Sequence, residues 1–365
     1  MLASLNSMRV FAEFWVVHVH VAPIHWVPHL FVRDLMSFFF VLSGFVMAHA
    51  HRCDDFSSWA AKRAFWWRRW SKTYPVFLFF WILCLVYRNA VSRLEVTPCY
   101  MAQLLVLDSW IGCEIHILNM PSWYISTLYW AWLVFPWLQT VVRHVTSAWA
   151  WGLMVSVWLV SVGLNTGLLP LGYWWYYPFP PLRILEFAIG CLTATTLETR
   201  LHWLAPAIAV FTVLGVYAAM YGWSIGQEGP CTHPLFSVGV FNSYSCAIVL
   251  LEMFVTKTTM VWAVLVHYLA SSEHLHRPHW LSDVLQNSHV PAMLSTFSLE
   301  LYLGHIFVCD VVHDVTKIAN APIGLHLVFI IVYGMCYLFH VRVQPRLNYV
   351  VKALGNCVAS PVETV

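Results

Sequence analysis

The chain has 365 residues, 60% of them hydrophobic and 10% charged. A soluble domain of this size carries about 25% charged residues, so the composition excludes an ordinary globular enzyme and specifies a multi-pass membrane protein. The formal net charge of +2 gives no reason to expect a nucleic acid partner. The start lacks the basic region and small-residue cleavage site of a signal peptide.

A bilayer core takes about 20 apolar residues per helix. Ten stretches qualify: 8–24, 34–52, 73–90, 122–142, 147–168, 181–198, 203–222, 235–256, 291–313 and 324–342. The chain reads as a single all-helical membrane domain over residues 1–365, a polytopic transmembrane bundle. The apolar stretch from Lys257 to Ser271 is short and opens on a lysine; it reads as an extension or an interfacial helix. Arg52, Lys62, Arg63, Arg68, Arg69 and Lys72 cluster between the second and third spans and mark that segment as cytoplasmic. Counting outward puts both termini in the cytoplasm, with Arg143, Arg200, Lys257, Arg342, Arg346 and Lys352 on the same side. Either a plasma membrane or an endomembrane fits.

In the first span, Arg9 and His20 are eleven residues apart. At about 100° per residue they return to within about 20° of one another, roughly 16 Å apart along the axis. Ionisable groups inside a bilayer face a protein interior or a wet cavity. A cation near one mouth and an imidazole at depth therefore form a candidate proton-transfer site with an anion anchor. His18, nine steps from Arg9, falls about 180° round the helix and is expected against headgroups or a neighbouring helix.

The second span contains Ser37-Phe38-Phe39-Phe40-Val41-Leu42-Ser43-Gly44-Phe45. Small residues such as Ser43 and Gly44 let a helix or a ligand approach closely; both readings stand. The basic segment interleaves arginine with tryptophan, as in Trp66-Trp67-Arg68-Arg69-Trp70. Guanidinium groups grip phosphates and aromatic faces stack on bases, so a phosphorylated, adenine-containing ligand fits. A topology signal that touches anionic lipid fits equally.

The loop from Asn89 to Pro121 holds Cys99 and Cys113, and Cys231 lies in another loop of the same side. A disulfide and free thiols are both open there. The ten cysteines include no CxxC pair, and His18, His20, His25 and His29 lack ligand-like spacing, so no metal is expected. Tyr173 to Pro178 reads as an interfacial aromatic belt on the outer side. Arg183 and Glu186 sit one turn apart and can pair at an outer mouth. Glu300 and His305 lie within an apolar stretch beside Tyr302, which makes a functional role the default for both.

Together these stretches resemble the acyltransferase 3 family of integral membrane acyltransferases, in order and over nearly the whole chain. Arg9 and His20 match its Arg-x10-His motif. Ser37 to Phe45 is similar to FFVLSGF, and Arg68, Arg69, Lys72, Tyr74 and Pro75 to RR-x-x-R-I-x-P. Trp123 to Pro136 resembles W-S-L…FP, Arg183-x-x-Glu186-Phe187-x-x-Gly190 resembles R-x-x-E-F-x-x-G, and Ser298 to His305 resembles S-Y-x-x-Y-L-x-H. The chain departs from the pattern at Ser37 and Leu128, where the family often carries acids, and at Lys72, which keeps a charge but loses the bidentate fork.

The resemblance implies transfer of an acyl group, often acetyl, from cytoplasmic acyl-CoA to a hydroxyl-bearing acceptor such as a glycan, a lipid-linked sugar or a small metabolite. His20 would act as base or as transient acyl carrier, both suited to imidazole. Arg9 would anchor the CoA side. Arg68, Arg69, Lys72, Ser43 and Gly44 would bind acyl-CoA, with Trp123, Arg183, Glu186, Glu300, Tyr302 and His305 in support. Two rivals are a transporter or acyl exporter using the Arg9–His20 stripe as a proton relay, and a non-catalytic homologue. Against the transporter stands the lack of an internal repeat.

Overall fold

The computed structural model describes residues 2–21, 30–91, 97–111, 113, 118–168, 175, 177–199, 201, 204–211, 258–275, 280–286, 293–316 and 322–359. The eighth expected span, most of the seventh, and Arg200, Lys257, Cys231, His25 and His29 lie outside these residues.

Every described element is helical. They are α1 (Ala3–Val21), α2 (Leu30–Ala50), α3 (Trp59–Val91), α4 (Pro98–Leu104), α5 (Asp108–Ile111), α6 (Ser122–Val142), α7 (Ser147–Leu168), α8 (Pro180–Thr193), α9 (Thr259–His274), α10 (Trp280–Gln286), α11 (Ser298–Thr316), α12 (Pro322–Arg342) and α13 (Gln344–Ala359). Among the described residues five stretches are long and apolar enough to cross a membrane: Trp59–Val91, Ser122–Val142, Ser147–Asn165, Ser295–Val312 and Val328–Ala353. The fold is an all-helical membrane bundle. Its centre is the pair α2 and α8, with α6, α7 and α9 packed round it and α1 against α9, α10 and α11.

Three elements differ from the sequence reading. First, α1 begins at Ala3, five residues before the expected start at 8. The Glu273 carboxylate of α9 accepts from the Ala3 and Ser4 backbone N–H groups at 2.8 and 3.1 Å and from the Ser4 hydroxyl at 2.8 Å. The orphan donors of a helix start are thus satisfied from a distant segment.

Second, the basic segment from Trp59 to Lys72 is not a loop. It forms the first turns of the 33-residue α3. Ser58 caps it, its hydroxyl accepting from the Ala61 N–H at 3.1 Å, and no glycine or proline interrupts residues 59–72. Pro75 sits inside the helix, where its missing N–H costs one backbone bond.

Third, α9 covers the stretch read as an extension or an interfacial helix. Its Ala263, Val266, Leu269 and Ala270 are wholly buried, and it packs on α1, α2 and α8. A short apolar helix suits a bundle core.

The segment between α3 and α6 closes with a Cys99–Cys113 disulfide. Its short helices pack on the start of α6. Ser122 donates to Asp108 at 2.9 Å, Ser126 donates to the Val106 carbonyl at 2.8 Å, and Gln103 donates to the Asn119 carbonyl at 2.9 Å. Val106 takes a φ of 60°, a left-handed conformation costly for a β-branched residue. These bonds hold it there.

Candidate active site

A cavity of about 280 Å³ opens between α1, α2, α3, α6 and α11. Arg9 and Glu13 reach it from α1, Ser43 from α2, Arg69 and Lys72 from α3, Tyr124 and Leu128 from α6, and Ser298 and Tyr302 from α11. Three cations from two helices therefore line one apolar-walled space. Such a site attracts an anion, and its apolar walls focus the field of the cations.

Arg9 Nη2 donates to the Ser295 carbonyl at 2.9 Å. Glu13, one helical turn on, accepts a hydrogen bond from Ser298. The sequence reading passed over Glu13. The signal was available: an acid inside an apolar helix, four residues after an arginine.

His20 Nδ1 lies 2.8 Å from the Val16 carbonyl. A carbonyl only accepts, so Nδ1 carries a proton, and in the neutral ring Nε2 then holds the lone pair. His305 is fully buried, and its Nδ1 donates to the carbonyls of Tyr302 and Leu301 at 2.8 and 3.1 Å. The two imidazoles face each other with ring centroids 5.1 Å apart. His305 stands 6.0 Å from the Tyr302 ring, which stands 5.1 Å from Tyr124. Arg9 lines the cavity whereas His20 does not; a file of rings, Tyr302 then His305, connects His20 to it. His18 packs on Phe14 and on Phe329 of α12, the neighbouring-helix contact expected of it.

The remaining expected residues divide by what they touch. Arg68 is exposed and lines no cavity described here, whereas Arg69 and Lys72 do. Ser43 lies 3.3 Å from the Tyr124 hydroxyl. Gly44 does not face the cavity: it packs against the backbone of α8 at Phe187, which favours the helix-packing reading over the ligand one. Arg183 and Glu186 pair at 2.8 Å, 1% and 2% exposed. Both are buried among the helices, in the first turns of α8. Ser37 joins them, donating to Glu186 at 2.8 Å and accepting from Arg183 at 3.1 Å. The Trp123 and Tyr177 rings flank the guanidinium. This cluster ties α2 to α8 away from the cavity. Glu300 pairs with His340 of α12 at 2.7 Å. Among the described residues no group of three or more His, Cys, Asp or Glu is placed to hold a metal.

The profile of the acyltransferase 3 family, described as an acyltransferase domain, matches residues 2–341. The chain belongs to the acyltransferase 3 family. A relative, the acyltransferase MdmB of Streptomyces mycarofaciens, is 29% identical over 287 residues, covering 70% of this chain and 69% of that protein. No solved structure matches the chain. Membership makes this an acyl-transferring membrane enzyme. All the motif residues of the acyltransferase 3 pattern quoted above fall among the described residues. In this member Ser37 serves the Arg183–Glu186 pair, and Leu128 adds an apolar wall to the cavity.

Proposed function

We propose that this enzyme transfers an acyl group, acetyl in the first instance, from cytoplasmic acyl-CoA to the hydroxyl of a carbohydrate, lipid-linked or small-molecule acceptor. The observation that carries the reading is the cavity itself, where Arg9, Arg69 and Lys72 converge beside Tyr302. Guanidinium and ammonium groups converging on one cavity suit the phosphates of CoA. The chain runs through the membrane as one domain of ten spans, with both termini and the start of α3 in the cytoplasm. The disulfide in the segment between α3 and α6 supports placing that segment on an oxidising side.

In this mechanism His20 Nε2 takes the proton of the acceptor hydroxyl. The oxygen attacks the thioester carbonyl carbon, the carbon–sulfur bond breaks, and the imidazolium returns the proton to the CoA thiolate. Arg9 and Arg69 neutralise donor phosphates and fix the thioester near the imidazole. Tyr302 and His305 position His20, and Glu300 holds α11 to α12.

The test uses full-length protein in liposomes with radiolabelled acetyl-CoA, following CoA release and label in membrane-extract acceptors. Wild type and His18→Ala should turn over, and His20→Ala and Arg9→Ala should not. Label retained covalently on wild-type protein when acceptor is absent, and missing in His20→Ala, would make His20 an acyl carrier instead of a base. Folded wild type that neither binds nor turns over any acyl-CoA would overturn the donor assignment. Transport without turnover would favour the proton-relay alternative.

A further inference from the structure

Arg69 is held from behind by a two-residue relay. Its Nη2 lies 2.8 Å from His51 Nε2. Arginine has no acceptor, so His51 Nε2 must carry a lone pair and the ring proton must sit on Nδ1. That Nδ1 lies 2.7 Å from Asp54 Oδ2. Both bonds run the same way: Arg69 donates to His51, and His51 donates to Asp54. Only the neutral imidazole can do both.

The surroundings fix this geometry. A turn in which the Asp54 N–H donates to the His51 carbonyl at 3.1 Å brings the carboxylate back to the ring. The Gln139 amide of α6 donates to the same carbonyl at 3.3 Å. The rings of Phe56, Phe65 and Phe135 enclose the imidazole, and Phe65 also lies under the guanidinium at 5.7 Å. Among the described residues the charged groups bonded to His51 are Asp54 from its own loop and Arg69 from α3; α6 meets it with the uncharged Phe135 and Gln139.

We propose that His51 and Asp54 are positioning residues for the acyl donor. They hold the Arg69 guanidinium at the cavity wall with its other N–H groups turned to a phosphate of acyl-CoA. This rests on the acyl-CoA reading above. A proton added to His51 would put an N–H where Arg69 needs an acceptor and add a like charge, so donor binding weakens whenever the ring is charged.

The experiment measures KM and kcat for acetyl-CoA between pH 8 and pH 5.5, in liposomes, for full-length wild type, His51→Gln, His51→Leu and Asp54→Asn. Gln offers a carbonyl oxygen to Arg69 and does not titrate. His51→Leu should raise KM about tenfold, the loss of one charge-assisted hydrogen bond, with kcat little changed. His51→Gln should keep the neutral-pH KM, and Asp54→Asn should raise it less than His51→Leu. On acidification KM should climb more steeply in wild type than in His51→Gln; titration of the CoA phosphate contributes equally to both. Identical pH slopes in wild type and His51→Gln would overturn the proposal, and so would a folded His51→Leu with the wild-type KM. The slope comparison decides the matter even if His51→Leu does not fold. Wild type inactive with every acyl-CoA overturns the donor reading itself, a different result from turnover with unmoved KM.

Discussion

Gly44 of α2 and Gly190 of α8 let two helix backbones touch from opposite directions. A Cβ on Gly44 would fall 1.9 Å from the Phe187 carbonyl oxygen, and one on Gly190 would fall 2.0 Å from the Val41 carbonyl oxygen. Neither obstacle is a side chain that can turn away. Small residues at crossing points allow this approach, and in lipid such packing replaces the hydrophobic drive as the source of association. Gly44→Val or Gly190→Val should therefore lose at least about 1–3 kcal/mol. Thermal unfolding and size-exclusion profiles in detergent check this. Gly152, with nothing within 4 Å of its would-be Cβ, should accept alanine without loss.

The Arg183–Glu186 pair is a buried structural ion pair. Arg183 Nη1 lies 2.8 Å from Glu186 Oε2, and its Nε donates to the Tyr177 carbonyl at 2.6 Å. Removing one partner strands a buried charge, which costs about 3–5 kcal/mol; replacing both by apolar residues costs far less. Arg183→Met should thus yield little folded protein, and Arg183→Met with Glu186→Leu should recover part of it. A double mutant no better than the single, by yield and melting temperature, refutes the ion-pair account.

Asp108 gives the disulfide-closed segment a pH dependence. Burial pushes its carboxyl up to about 6, with hydrogen bonds from Ser122 and Ser126 and from the backbone opposing the shift. A raised carboxyl favours the protonated form in the folded state. Its stabilising contribution is therefore full below the ordinary carboxylate range near pH 4 and is lost as pH rises through about 6. The swing is on the order of 2–3 kcal/mol. Wild type should melt at a lower temperature at pH 7 than at pH 4.5 relative to Asp108→Asn, which lacks the titration. The comparison isolates one group; parallel curves for the two proteins would count against it.

Cysteine labelling reads the orientation directly. Cys53 is exposed at the turn before α3, whereas Cys99 and Cys113 are joined. An impermeant maleimide applied to intact cells should miss Cys53 and reach it after permeabilisation. Reduction should open Cys99 and Cys113 to the same reagent from the membrane face opposite Cys53. Cys99→Ser should cost about 3 kcal/mol for a loop of this length. Labelling of Cys53 in intact cells would reverse the topology.

Much of this was legible along the chain because the bilayer imposes simple demands. Apolar runs of bilayer length had to be helices, since only internal hydrogen bonding satisfies a backbone in lipid. The isolated charges Arg9 and Glu300 had to be turned inward, whereas the burial of Arg183 and Glu186 was not read from the sequence. Helical periodicity put Arg9 and His20 on one face and His18 on another, and His18 does lie against α12. Glu13 carried the same signal and was overlooked beside the more regular motif.

Sequence by itself determined the membrane class, the helical content and the motif order that assigns the family, because each follows from local composition and spacing. Tertiary structure decided what those motif residues touch. Gly44 meets a backbone rather than the cavity, and Ser37 completes an ion pair 146 residues away. The α1 start is capped by Glu273, and Arg69 is turned by His51 and Asp54. Apart from the local His51–Asp54 turn, these are contacts between separate segments of the chain. No periodicity encodes them; they exist only once the packed helices bring the partners within hydrogen-bonding distance.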